Sequence, residues 1–188
     1  VLMNYQLNHT LKTLSYSDKI GDIFSQIDNV IPDYESENEI PTTELINEIS
    51  DFNSGFDAAL CLYDFKTKKI RFCGAKRPLY LFRKGVLQEF RGSRSSVGLF
   101  SIAGKKFEET EIQLEENDQL FLFSDGYTDQ IGGPRNKRFM SKRLKETIKE
   151  LLSSSSSDQH KKLIETIIDW KGNNEEQLDD ILVLGIKL

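Results

Sequence analysis

The hydrophobic period of this chain changes twice, and that order governs which architectures it can adopt. Leu7, Leu11 and Leu14 share one helical face, and Ile20, Ile23, Phe24, Ile27 and Ile31 repeat the pattern more strongly. From Asp57 the apolar residues come instead as short extended runs: Ala58 to Tyr63, Ile70 to Cys73, Leu79 to Phe82, Val86 to Phe90, Phe107 to Leu114 and Leu120 to Phe123. Helical spacing then returns with Leu144, Ile148, Leu151 and Leu152, and again with Leu163, Ile164, Ile167 and Ile168. Turns as short as Lys66-Thr67-Lys68 and Arg83-Lys84-Gly85 favour antiparallel hairpins over parallel crossovers. Helices, an antiparallel region, helices and a closing strand suit an α+β sandwich.

Local signals place the boundaries. Ser17 is a candidate N-cap for the second helix and Pro32 its stop. The acidic stretch Asp33 to Glu39 reads as a loop, and Thr42 or Thr43 then caps a short helix carrying Leu45, Ile46 and Ile49. The five serines Ser153 to Ser157 read as a low-complexity link between the last helices, or as a phosphorylation cluster. Ile181 to Ile186 reads as a buried strand that closes the fold. No internal repeat is visible, and 188 residues suit one domain, 1–188, built on one core.

Composition narrows the function. The 12 Phe and 6 Tyr supply enough apolar bulk for a folded core. A net charge of −5 lacks the basic excess of a nucleic-acid-binding domain, so no nucleic-acid partner is expected. With only Cys61, Cys73, His9 and His160, the chain has too few ligands for a soft-metal site or a disulfide framework, which fits a reducing, cytoplasmic setting. No apolar run is long enough to span a bilayer, so no membrane contact is expected.

Two carboxylate motifs carry the chemistry. In Leu120-Phe121-Leu122-Phe123-Ser124-Asp125-Gly126-Tyr127-Thr128-Asp129 an apolar strand runs directly into an aspartate and then a glycine. A carboxylate at a strand mouth is held rigidly yet reaches a cleft, and Gly126 lets the backbone turn or approach closely. The plain alternative is that Asp125 caps the next helix. Near the end, Gln177-Leu178-Asp179-Asp180 enters the last strand. Adjacent carboxylates that both stay ionised benefit from a cation, and all-oxygen donors favour Mg²⁺ or Mn²⁺; the alternative is a solvated turn.

Taken together, Ser124-Asp125-Gly126-Tyr127-Thr128-Asp129, Trp170-Lys171-Gly172 and Gln177-Leu178-Asp179-Asp180-Ile181-Leu182-Val183 resemble the PPM-type metal-dependent serine/threonine phosphatases, in particular the bacterial stage II sporulation protein E branch. The resemblance runs from about Gly55 to Leu188, through Gly55-Phe56-Asp57-Ala58-Ala59-Leu60-Cys61, Gly74-Ala75-Lys76-Arg77-Pro78-Leu79-Tyr80 and Ser96-Val97-Gly98. Gly132-Gly133-Pro134 and the Arg143-Leu144 helix are similar to the subtype attached to sensory modules.

The resemblance implies a four-layer αββα sandwich and a two-metal Mg²⁺ or Mn²⁺ cleft that activates water against phosphoserine or phosphothreonine. It implies Asp125 and Asp179 as metal ligands, with Asp180 the alternative to Asp179, and Gly126 and Asp129 as supporting neighbours, the family often having glutamate at the latter position. The implied partners are a phosphorylated protein substrate and an upstream sensory or regulatory domain in the same bacterial signalling polypeptide. The family's acidic hairpin and Asp-Gly-His-Gly turn have no counterpart between Val1 and Leu188, so part of the ligand set is expected outside this sequence, in an N-terminally truncated domain. On that expectation this fragment alone is inactive, and unpaired sheet edges could support a homodimer. The alternative reading is a pseudophosphatase that binds partners without catalysis.

Arg77, and Arg135 with Lys137 and Arg138, are candidate contacts to the phosphorylated protein through the guanidinium fork, or else solvated surface. His9 and His160 lie away from every motif, Cys61 and Cys73 read as small core fillers, and Trp170 reads as the anchor of the last helix on the sheet.

Overall fold

A computed structural model describes residues 19–30, 55–98, 105–173 and 175–188. The expected helix around Leu7 to Leu14, the caps Ser17, Thr42 and Thr43, and the short helix at Leu45 to Ile49 lie outside the described residues. The described residues form helix α1 (Ile20–Val30), strands β1 (Ala58–Asp64), β2 (Lys69–Ala75), β3 (Leu79–Arg83), β4 (Val86–Phe90), β5 (Glu109–Gln113) and β6 (Gln119–Phe123), and helix α2 (Asp125–Asp129). There follow the short β7 (Ile131–Gly132) and β8 (Lys137–Arg138), helices α3 (Met140–Leu151) and α4 (Ser156–Lys171), and strand β9 (Val183–Lys187). They fall into two compact units, the second made of Leu79–Phe90 and Glu115–Leu188.

In the first unit β1, β2 and β5 form a three-stranded sheet in the order β1-β2-β5, antiparallel throughout. Helix α1 buries Ile20, Ile23, Phe24 and Ile27, its apolar face, in a cluster with Cys73, Ala75, Val97 and Phe107. The ring of Phe24 meets Phe107 edge-on at 5.3 Å. The first helical amide, on Ile20, donates to Glu109 Oε2 at 2.8 Å, so a strand carboxylate satisfies an orphan donor at the helix N-terminus. At the other end Asp28 accepts from Gly98 N–H at 2.7 Å and pairs with the buried Lys105 ammonium at 2.6 Å. Cys61 and Cys73 lie on paired strands but in different registers, opposite Phe72 and Leu60. Burial first of all, with the charge of Cys73 added for Cys61 and that of Glu109 added for Cys73, pushes both thiols up to about 12, so they remain neutral.

The second unit is built on an antiparallel sheet in the order β4-β3-β6-β9. Tyr80 and Phe82 of β3, with Phe121 and Phe123 of β6, alternate onto the face that packs against Leu144 and Ile148 of α3 and Leu163 and Ile167 of α4. Arg83 reaches the buried Asp118 through two hydrogen bonds at 3.0 and 2.7 Å, fixing the start of β6.

Three expectations are corrected by the described residues. The closing strand is not buried along its length: Leu182, Leu184 and Ile186 are 64%, 48% and 39% exposed, because they alternate onto the sheet face opposite the one on which Ile181 and Val183 pack against the core. The serine run is not wholly a link, since α4 starts at Ser156. Ser155 is its N-cap, accepting from Asp158 N–H at 3.1 Å, and His160 lies within the helix. Trp170 anchors its helix mainly on a short ribbon: it meets Phe139 edge-on at 5.4 Å, and its Nε1–H donates to Gln130 O at 3.1 Å. That ribbon, β7 paired with β8, was not expected from the sequence, because two-residue strands are too short to show a period.

Candidate functional site

Strand β6 delivers Asp125 to its place. The strand ends at Phe123, Ser124 takes the N-cap position with extended backbone, and Asp125 is the first residue of α2. Asp125 is therefore not the cap; it sits in the first turn, where a negative charge is favoured by the exposed amides. Tyr127 and Thr128 of the same short helix are buried, which fixes the direction of the whole turn. Tyr127 donates to Leu163 O at 2.8 Å, and burial raises its phenol well above the ordinary range, so it stays a neutral donor.

The segment carrying Asp179 and Asp180 is tied to this turn by Ser124. Its hydroxyl donates to Asp180 O at 2.8 Å and accepts from Leu182 N–H at 2.9 Å, while its own amide donates to Leu182 O at 3.0 Å. Gly126 is required for the approach: a Cβ there would stand 2.4 Å from Asp180 O and 3.2 Å from Asp179 O. Asp180 N–H donates to Asp179 Oδ1 at 2.7 Å, and Gln177 Nε2 donates to Asp179 O at 2.9 Å, so the acidic pair lies in a locally fixed loop. The buried Gln130, just past α2, donates to Glu176 O at 2.9 Å and makes a second tie between the two segments. Ser124, Gln130 and Gln177 were not expected in these roles; the only signal in the sequence was a small hydroxyl residue at the strand end, which is common elsewhere.

The remaining expected residues are placed as follows. Asp129, at the end of α2, pairs with Arg138 of β8 at 3.1 Å, and both are partly exposed. Arg135 lies in the exposed turn of the β7–β8 ribbon. Arg77 belongs to the first unit, where its guanidinium pairs with Asp57 at 2.8 Å and Asp57 also accepts from Ser96 Oγ. That carboxylate joins three motif segments noted in the sequence. Asp125, Asp179 and Asp180 offer the hard oxygen donors that Mg²⁺ or Mn²⁺ takes. Among the described residues, however, no group of three or more His, Cys, Asp or Glu side chains is positioned to hold a metal ion by itself.

Comparison with solved structures identifies the fold as that of the PP2C-type phosphatase domains. The SiaA-PP2C domain of Pseudomonas aeruginosa matches with a TM-score of 0.78 at 22% identity, over 100% of this chain and 68% of that one. The PP2C phosphatase domain with a fragment of the regulatory domain of the cell fate determinant SpoIIE from Bacillus subtilis matches with a TM-score of 0.69 at 17% identity, over 98% of this chain and 49% of that one. The catalytic domain of the serine/threonine protein phosphatase PstP, in complex with two manganese ions, matches with a TM-score of 0.60 at 13% identity, over 100% of this chain and 79% of that one. The sequence model of the stage II sporulation protein E (SpoIIE) family matches residues 2–188, and the chain belongs to that family. Comparison with curated protein sequences gives no match.

Proposed function

We propose that this chain is the larger, C-terminal part of a Mg²⁺- or Mn²⁺-dependent protein serine/threonine phosphatase domain that dephosphorylates a partner protein in bacterial signalling. The observation that carries the reading is the double tie of Ser124 to Asp180 and Leu182, which sets Asp125 beside the Asp179–Asp180 loop at the mouth of β6. Asp125 and Asp179 would hold the ions, with Asp180 the alternative second ligand and further ligands coming from residues outside this sequence. Bound divalent ions at such a site lower the pKa of water and neutralise phosphoryl oxygens. The chain's own part is to hold these carboxylates ionised and fixed. Gly126 keeps the two backbones close, Asp129 is restrained by Arg138, and Arg135 and Arg138 serve as contacts to the phosphorylated protein; Arg77, paired with Asp57 in the first unit, is a separate candidate contact.

The SpoIIE relative, solved with part of its regulatory domain, supports an upstream regulatory domain in the same polypeptide. No helix among the described residues is long and apolar enough to cross a membrane, which accords with a cytoplasmic output domain. Among the described residues the outer edge of β9 has no strand beside it, and a second copy would pair there in a homodimer. The test is phosphate release from a phosphoserine protein by the full-length protein, stripped with EDTA and resupplied with Mn²⁺. Release that disappears on stripping and returns with Mn²⁺ is expected. Metal-independent release, or none with any phosphoprotein tried, would contradict the reading and favour a partner-binding pseudophosphatase.

A further inference from the structure

The second unit contains a cavity of about 720 Å³ between the β7–β8 turn and the end of α4, lined by Gly133, Pro134, Arg135, Trp170, Lys171 and Glu175 among others. Its walls are built rather than incidental. Gly133 N–H donates to Trp170 O at 2.7 Å, and Asn136 N–H closes the turn on Gly133 O at 3.1 Å. The Trp170 ring is clamped between Phe139, edge-on at 5.4 Å, and the Arg143 guanidinium, 4.4 Å from its centre. A Cβ on Gly132 would fall 1.9 Å from Trp170 O, and one on Gly133 would fall 2.4 Å from the indole. The glycine pair noted in the sequence is what lets this wall form.

Both walls continue the segments that bear the carboxylates. The turn follows α2, whose four-residue span from Asp125 to Asp129 rises about 6 Å. Glu175 precedes Asp179 by four residues, so their Cα atoms are at most about 14 Å apart. An extended peptide advances about 3.3 Å per residue, so a flank of at most about four residues is long enough to span from a phosphoserine at the carboxylates to this cavity. The lining charges balance, Arg135 and Lys171 against Asp169 and Glu175, alongside Asn136 and Asn173. A seat for the phosphoryl group itself would need a cationic excess. A balanced set of donors and acceptors around an indole fits instead the main chain and one apolar side chain of a peptide.

We infer that this cavity is the subsite for the segment flanking the phosphorylated residue of the protein substrate, with Arg135 and Trp170 its principal contacts; the inference rests on the phosphatase reading. Because Trp170 is the one tryptophan of this sequence, its fluorescence reports occupancy independently of catalysis. The full-length protein is titrated with a pool of phosphoserine peptides bearing four random residues on each side, Trp170→Phe identifying the Trp170 signal. Turnover of the same pool is compared with that of p-nitrophenyl phosphate, which has no flank. The expected result is a saturable change in Trp170 emission. Arg135→Glu and the cavity-filling Asn173→Trp each lower the ratio of kcat/KM for the pool to that for p-nitrophenyl phosphate by about tenfold, through KM. An unchanged ratio in both variants, or peptide binding that leaves Trp170 emission unaltered, would overturn the inference. A Trp170 response without any turnover would leave the subsite standing and overturn the phosphatase reading instead.

Discussion

Ser124 makes three hydrogen bonds across to the segment 180–182, and in doing so it ties the loop bearing Asp179 to the turn bearing Asp125. Ser124→Ala is expected to raise the Mn²⁺ concentration for half-maximal activity of the full-length protein by about tenfold or more, as lost support of metal ligands generally does. Ser124→Thr, which keeps the hydroxyl, is expected to restore most of it. An unchanged Mn²⁺ requirement in the alanine variant would remove the serine from this role. Gly132→Ala places a methyl group against the Trp170 carbonyl, and overpacking of this kind costs about 1–3 kcal/mol, read as a lowered thermal midpoint. The thiols give a pH-dependent case. With Cys61 and Cys73 raised from 9.0 to about 12, their contribution to stability is fully present below pH 9 and lost as pH rises toward 12. Native protein at pH 8 should resist alkylation by iodoacetamide, whereas urea-unfolded protein should react at both cysteines; rapid labelling of the native form would show that the strands open readily.

The elements differ in how clearly the sequence announces them. Helix α1 and strands β1 to β4 follow from periodicity within about a residue or two, because each presents a full apolar face or a run closed by a polar turn. The expected run Phe107 to Leu114 contracts to Glu109–Gln113, with Phe107 and Leu114 buried just beyond the paired residues. The β7–β8 ribbon escaped because its two residue pairs depend on the Trp170 carbonyl and ring, a tertiary partner that lies far along the chain. Helix α2 is the short element whose anchoring matters most. Its Tyr127 hydroxyl crosses to Leu163 O of α4, so Tyr127→Phe removes one buried hydrogen bond of about 1 kcal/mol and should lower the thermal midpoint by about 2–4 °C. A midpoint unchanged within a degree would show that the helix is held by ring packing alone, including the edge-on contact with Phe139 at 5.3 Å.

At the scale of the whole molecule, the α+β class and the two acidic motifs were legible from residue order. What the motifs do to each other was not. Nothing in Ser124-Asp125-Gly126 or in Asp179-Asp180 states that the two segments meet; that depends on β6 and β9 pairing as neighbours, Phe123 opposite Val183. The exposure of one face of the closing strand was likewise hidden, because a continuous apolar run is the same string whether both of its faces are covered or only one. The central claim, that Asp125 and Asp179 together bind the divalent ion, is tested most directly by calorimetric titration of Mn²⁺ into metal-free full-length protein, wild type against Asp125→Asn and Asp179→Asn. The account predicts that each substitution weakens binding by about tenfold or more while the fold, read by circular dichroism, is retained. Wild-type Mn²⁺ affinity in both variants would contradict it.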